Sequence, residues 1–92
     1  MEMLDSWGKY RDFLQDTKYI NDGVQHVYKF ENGYGASVVK HDYSYGGKSG
    51  LWEIAVLDSD DELCYHTPIT QDVIGYLAWK KVELYLEEIK QL

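Results

Sequence analysis

The segment VQHVYKFENGYGASVVKHDY, residues 24–43, constrains the fold more than any other part of the chain. Two runs rich in β-branched and aromatic residues, 24–30 and 36–43, flank Asn32-Gly33. Such runs suit pleated strands. Asn-Gly is the strongest short hairpin signal, because a type I′ turn needs positive φ at both central residues. With Asn32 and Gly33 as the two turn residues, Val27 faces Val38 and Tyr28 faces Ser37. That register gathers Val24, His26, Tyr28, Phe30, Val39, His41 and Tyr43 on one face. Gln25, Val27, Lys29, Val38 and Lys40 take the other. The first face is larger and more apolar and is assigned to the core; a slip of one residue inverts the assignment.

The neighbouring segments extend this hairpin. LWEIAVL, 51–57, is the most hydrophobic strand, with Trp52, Ile54 and Val56 on one side and Leu51, Ala55 and Leu57 on the other. DSDDE, 58–62, is a polar turn, and LCYHT, 63–67, is a short fourth strand. Consecutive strands with short links make an antiparallel meander. Residues 4–19 are predicted as a short helix, because Leu4, Trp7, Tyr10, Phe13 and Leu14 recur at three- and four-residue steps. Asn21-Asp22-Gly23 ends it with turn chemistry. After Thr67-Pro68 or Thr70 the pattern turns helical again, through Val73, Ile74, Tyr76 and Leu77. The final helix carries Val82, Tyr85, Ile89 and Leu92 in one stripe flanked by Leu86, with a break preferred near Leu77–Trp79 over one continuous helix. The expected fold is α+β: residues 1–92 as a single domain, a four-stranded antiparallel meander packed against N-terminal and C-terminal helices.

Composition narrows the function classes. A chain of 92 residues holds one core and has no room for a deep interdomain cleft. Sixteen acidic against nine basic residues give a net charge of −7. Counterion release onto nucleic acid needs clustered Lys and Arg, and the only doublet is Lys80-Lys81, so direct nucleic-acid binding is not expected. An acidic surface favours basic partners, including proteins that themselves bind nucleic acid. Cys64 stands alone, so no disulfide framework is expected, and its apolar run suggests a buried thiol. No apolar run approaches a membrane span and the N-terminus lacks a secretory core, so the expected compartment is the cytoplasm.

Several short motifs invite chemistry. Gly47-Lys48-Ser49 ends like a phosphate-binding loop, but the first glycine of that motif falls on Asp42, and a strand rather than a helix follows. YSYGGKSG is therefore read as a chain reversal, and no cofactor is expected. His26 and His41 are diagonal neighbours in the register above and offer two metal ligands, with His66 farther off; a small metal protein or enzyme using His26 and His41 is one alternative. DSDDE lacks the spacing of a calcium loop. Cys64 and His66 share a strand face without an orienting third group.

Topology points to contact surfaces. In a meander the first and third turns lie at one end, which gathers Glu31, Asn32, Tyr34, Asp58, Asp60, Asp61 and Glu62. The opposite end holds Tyr43, Tyr45 and the glycine loop, and Tyr with Gly and Ser in loops is a protein-contact composition. A second alternative is self-association: Val27, Val38, Leu51, Ala55 and Leu57 would form an apolar sheet face open to a homodimer.

NGYGASVVKH, SYGGKSGLWEIAVL and YHTPITQDVIGYL, with the helix that follows, resemble a family of small phage and prophage proteins of Gram-positive bacteria over about residues 20–92. The family brings no established activity, so no catalytic or ligand residue is carried over. Ala78-Trp79-Lys80-Lys81 departs from the polar helix start expected there: either the break is absent, or Trp79 packs somewhere specific, including on a partner. The resemblance implies a non-enzymatic accessory protein that binds a host protein, in its specific form an acidic inhibitor of a nucleic-acid-binding defence enzyme, of anti-restriction or anti-CRISPR type.

Overall fold

In the computed structural model, which describes residues 10–64, Thr67 and residues 73–92, the hairpin at Asn21-Asp22 starts the sheet. Both turn residues are left-handed, with φ of 50° and 62°, the geometry that matches the twist of the flanking strands. They join β1 (Leu14–Ile20) to β2 (Gly23–Lys29), which pair antiparallel from Ile20↔Gly23 to Leu14↔Tyr28. Asn21-Asp22-Gly23 is thus a turn, as its chemistry demands, but it connects two strands instead of ending a helix. The predicted helix 4–19 is corrected: Arg11–Phe13 form one 3₁₀ turn and residues 14–20 a strand, while residues 4–9 lie outside the described residues. Beyond Leu14 the helical stripe has no further apolar member, and Thr17, Tyr19 and Ile20 suit a strand that pairs with the edge of β2.

The sheet continues through β3 (Gly35–Lys40), β4 (Trp52–Leu57) and β5 (Ile74–Leu77) in the order β1-β2-β3-β4-β5, all antiparallel. The meander holds, with five strands instead of four. The expected strand at 63–67 reduces to one bridge, Leu57↔Leu63, beside a Cys64 N–H bond to the Val56 carbonyl; residues 65 and 66 are outside the described set. The fifth strand comes from residues 74–77, which were expected to be helical. β-Branched Ile74 next to Gly75 gives weak local preference, and the open edge of β4 settles it.

The register of the central hairpin also differs from expectation. Val27 pairs with Ser37 and Tyr28 with Ala36. The turn has three residues, not two. The Gly33 N–H bonds to the Phe30 carbonyl at 3.1 Å, and the Phe30 N–H bonds to the Tyr34 carbonyl at 2.8 Å. Gly33 sits at φ 93°, completing a type I turn followed by a left-handed residue. The extra loop residue shifts β3 by one. His26, Tyr28 and Phe30 face the core as expected, but with Ala36 and Val38 rather than Val39 and His41.

Helix α1 (Trp79–Lys90) crosses the core face against β3, β4 and β5. Its start at Trp79 agrees with the expected break. Val82, Leu86 and Ile89 are fully buried on Tyr28, Val38, Ile54 and Val56. Each such burial contributes roughly 1.5–3 kcal/mol. Tyr85 is half-buried and Leu92 exposed, so the buried stripe is centred one position from the predicted one. Tyr10 joins this core and donates its phenol proton to Glu87 Oε1 at 2.7 Å. Burial, with the Glu87 carboxylate, raises the Tyr10 phenol pKa.

Val38 therefore leaves the proposed open face for the core, and Ala55 and Leu57 are already buried within this chain. Val27 and Leu51 are half-buried, and Gln25 donates to Ser37 Oγ at 2.8 Å on the same face. The broad apolar patch expected there is not formed.

Candidate functional site

The glycine-rich segment is a tightly self-bonded reversal between β3 and β4. His41 anchors it: its N–H bonds to Ser44 Oγ at 2.9 Å, Ser44 Oγ donates to its carbonyl at 3.0 Å, and its Nδ1 accepts the Tyr43 N–H at 3.1 Å. Gly47–Ser49 form one 3₁₀ turn between Gly46 and Gly50, both left-handed. The N–H groups of Gly47, Ser49, Gly50 and Leu51 all bond to carbonyls of this same loop. Those amides point at loop oxygens rather than outward, and β4 follows, so the helix terminus that phosphate recognition requires is absent at this position.

This loop docks against a bulge in β5. Trp52 pairs with Leu77 and Ile54 with Ile74, so Gly75 and Tyr76 together oppose Glu53. Tyr76 adopts φ 58°, a left-handed conformation costing a bulky residue about 1–2 kcal/mol. Its N–H bonds to the Tyr45 carbonyl at 3.2 Å. Gly75 is required by close approach: a Cβ there would collide with the Cβ of Tyr45. The Tyr45 N–H bonds to Glu53 Oε1 at 2.7 Å. The two segments hold each other with their aromatic side chains turned outward. Tyr43, Tyr45 and Tyr76 are 80%, 59% and 66% exposed. Beside them lies an open concavity of about 630 Å³, lined by Tyr19, Asp22, Lys40, His41 and Asp42 among others.

The acidic end gathers as the topology requires, but much of it is spent internally. Asn32 donates its side-chain amide to the carbonyls of Ile89, Lys90 and Leu92 at 2.9, 3.1 and 3.3 Å, closing the C-terminus of α1. Its Oδ1 accepts the Tyr34 N–H at 2.9 Å, and Tyr34 packs half-buried against the core. Asp58 Oδ1 accepts the N–H groups of Asp60 and Glu62 at 2.9 and 3.1 Å, a local turn device. Asp61 pairs with Lys29 at 3.0 Å. Glu31, Asp60 and Glu62 remain as exposed carboxylates.

Trp79 is half-buried and packs inward. Its ring centroid lies 5.0 Å from Trp52 and 6.3 Å from His26. Ala78 gives the helix no side-chain cap, and Lys80 and Lys81 are exposed in the first turn. Packing of Trp79, and not capping, fixes where the helix begins. His26 is buried, stacks on Trp52 at 5.7 Å and bonds through Nδ1 to Thr17 Oγ1 at 3.0 Å. Burial lowers its pKa. The expected approach of His26 and His41 is corrected by the register: Val38, not Val39, faces His26, and His41 lies in the loop beyond β3. Among the described residues no three His, Cys, Asp or Glu side chains cluster as a metal site. His66, and with it the Cys64–His66 pair, lies outside the described residues.

Tyr76 is the surface residue that sequence reasoning missed, because the segment read as helix. The available signal was Gly75 directly after β-branched residues, which marks a bulge.

The geometry defines an α+β domain: a five-stranded antiparallel meander with one helix across one face and a tyrosine-bearing end. No described helix is long and apolar enough to cross a membrane. No protein-family model, curated protein or solved structure matches the chain.

Proposed function

We propose that this chain is a non-enzymatic accessory protein that works by binding another protein, with Tyr43, Tyr45 and Tyr76 as the centre of the contact. The observation that carries this reading is Tyr76: a left-handed, bulky residue whose ring is exposed at a point where the surrounding loop is rigidly hydrogen bonded. Strain of that kind persists where the structure over-determines it, and it clusters at ligand contacts. Tyrosines held on a rigid frame bind at little conformational cost. The net charge of −7 favours a basic partner. The motif resemblance to phage proteins makes that partner a host protein in the bacterial cytoplasm, in the specific form a nucleic-acid-binding defence enzyme whose phosphate site the acidic chain occludes. Exposed Asp22 and Asp42 beside the tyrosines supply carboxylates for that role, and Glu31, Asp60 and Glu62 offer a second group at the other end.

The test is parallel affinity capture from a Gram-positive host lysate at low salt. The baits are the unmodified chain, a Tyr45→Ala/Tyr76→Ala variant and a Glu31→Gln/Asp60→Asn/Glu62→Gln variant. The expected result is a basic or nucleic-acid-binding protein held by the unmodified chain and by the acidic-end variant, and lost from the tyrosine variant. Recovery of no such protein, or equal recovery on the tyrosine variant, overturns the reading.

A further inference from the structure

β1 forms one outer edge of the sheet, and among the described residues no strand pairs with its free side. The edge is seven residues long, regular from Asp16 to Ile20 beyond a bulge between Leu14 and Asp16, with Asp16, Lys18, Tyr19 and Ile20 exposed. Free edges invite pairing with another strand, and charges along an edge decide which strand is accepted. Here the charges are self-complementary. Asp16 and Lys18 flank Thr17 symmetrically, so an antiparallel copy of β1 centred on Thr17 sets each Asp16 opposite the Lys18 of the other copy. The backbone is poised for this register. The Thr17 N–H bonds at 2.8 Å to Asp16 Oδ1, its own neighbour's carboxylate, and so is directed away from the β2 ladder. In an antiparallel pair the hydrogen-bonded position is flanked by closely spaced pairs whose side chains meet.

We infer that β1 is a homodimer edge: two copies pair β1 to β1 about a two-fold axis at Thr17, giving a continuous ten-stranded sheet. On pairing, the Thr17 N–H exchanges the Asp16 carboxylate for the Thr17 carbonyl of the second copy, and the released carboxylate meets the Lys18 ammonium of that copy. Thr17 and Tyr19 pair with His26 and Val24, so they lie on the helix-bearing face, whereas Asp16 and Lys18 lie on the other. The 84% exposed Tyr19 then covers the partner strand on the helix side. Tyr19 also lines the concavity beside the tyrosine end, but Asp16, Thr17 and Lys18, which set the register, do not, and the charge exchange leaves Tyr43, Tyr45 and Tyr76 unchanged.

Sedimentation across a concentration series tests the edge, with circular dichroism confirming the fold of each variant. Asp16→Lys creates two like-charge pairs at once and weakens the dimer by at least about tenfold. Lys18→Asp does the same, and the exchanged double variant Asp16→Lys/Lys18→Asp restores dimerisation. In the unmodified chain, the Thr17 amide gains protection from hydrogen exchange as concentration rises, a readout that does not depend on any variant folding. A chain that stays monomeric to roughly 1 mM overturns the inference. So does a dimer indifferent to the charge exchange, or one that leaves the Thr17 amide unprotected.

Discussion

The side-chain nitrogen of Asn32 lies 2.9 Å from the carbonyl oxygen of Ile89, so the turn between β2 and β3 closes the C-terminus of α1. One amide group reaches the carbonyls of Ile89 and Lys90 in the last turn, where a helix runs out of its own donors, and the oxygen of Leu92 just beyond it. Asn32→Ala is expected to destabilise the chain by about 1–2 kcal/mol. Thermal unfolding should show this as a fall of roughly 4–8 °C per kcal/mol in Tm. Asn32→Asp is expected to cost more than Ala, because it sets a carboxylate against the negative end of the helix.

Tyr76 gives a prediction whose sign distinguishes a bulged strand from a helix. At a left-handed position glycine avoids the Cβ clash, so Tyr76→Gly should be more stable than Tyr76→Ala by about 0.5–1 kcal/mol in denaturant unfolding. In a helix the order reverses, with glycine worse by about 1 kcal/mol. Both variants lose the exposed ring, so both should lose partner capture whatever their stability.

The helix face is tested by a pair of leucines. Leu86 is fully buried and Leu84 is 56% exposed two residues away. Leu86→Ala is expected to cost about 2–5 kcal/mol, and Leu84→Ala within about 0.5 kcal/mol. Equal losses in urea titrations would contradict the packing of α1.

His26 predicts a pH dependence. Its folded pKa lies below the ordinary histidine value because burial disfavours the cation. The unfolded chain therefore takes up the proton first as pH falls below about 6.5. Stability attributable to His26 is full above that value and declines as pH drops toward and through the depressed folded pKa. Urea midpoints at pH 7.5 and 5.5 should fall for the unmodified chain and fall less for His26→Gln. An equal decline in both would exclude His26 as the source.

Local chemistry made much of the fold legible. The runs at 24–30, 36–43 and 51–57 give strands at 23–29, 35–40 and 52–57 in the expected order, with 41–43 turning into the loop, and the C-terminal helix starts within the break preferred near Leu77–Trp79, although a strand and not a helix precedes it. The acidic end assembles because consecutive antiparallel strands must place alternate turns together. Each difference has one origin. Asn32-Gly33 predicts a two-residue turn, but a third loop residue moves β3 by one position, carrying Val38 into the core and His41 away from His26. Asn32, expected at a contact surface, turned inward because the helix end arrives beside it. Trp79 found Trp52 within the same chain.

Side-chain branching, apolar spacing and glycine freedom act over a few residues, so the order of amino acids alone marks which stretches favour strand, turn or helix. Contacts distant in sequence settled the fates of residues 14–20 and 74–77, whose local preferences are weak. Each lies along an edge of the sheet, where hydrogen-bonding groups of β2 and β4 needed partners, and satisfying those groups outweighs the small differences in propensity.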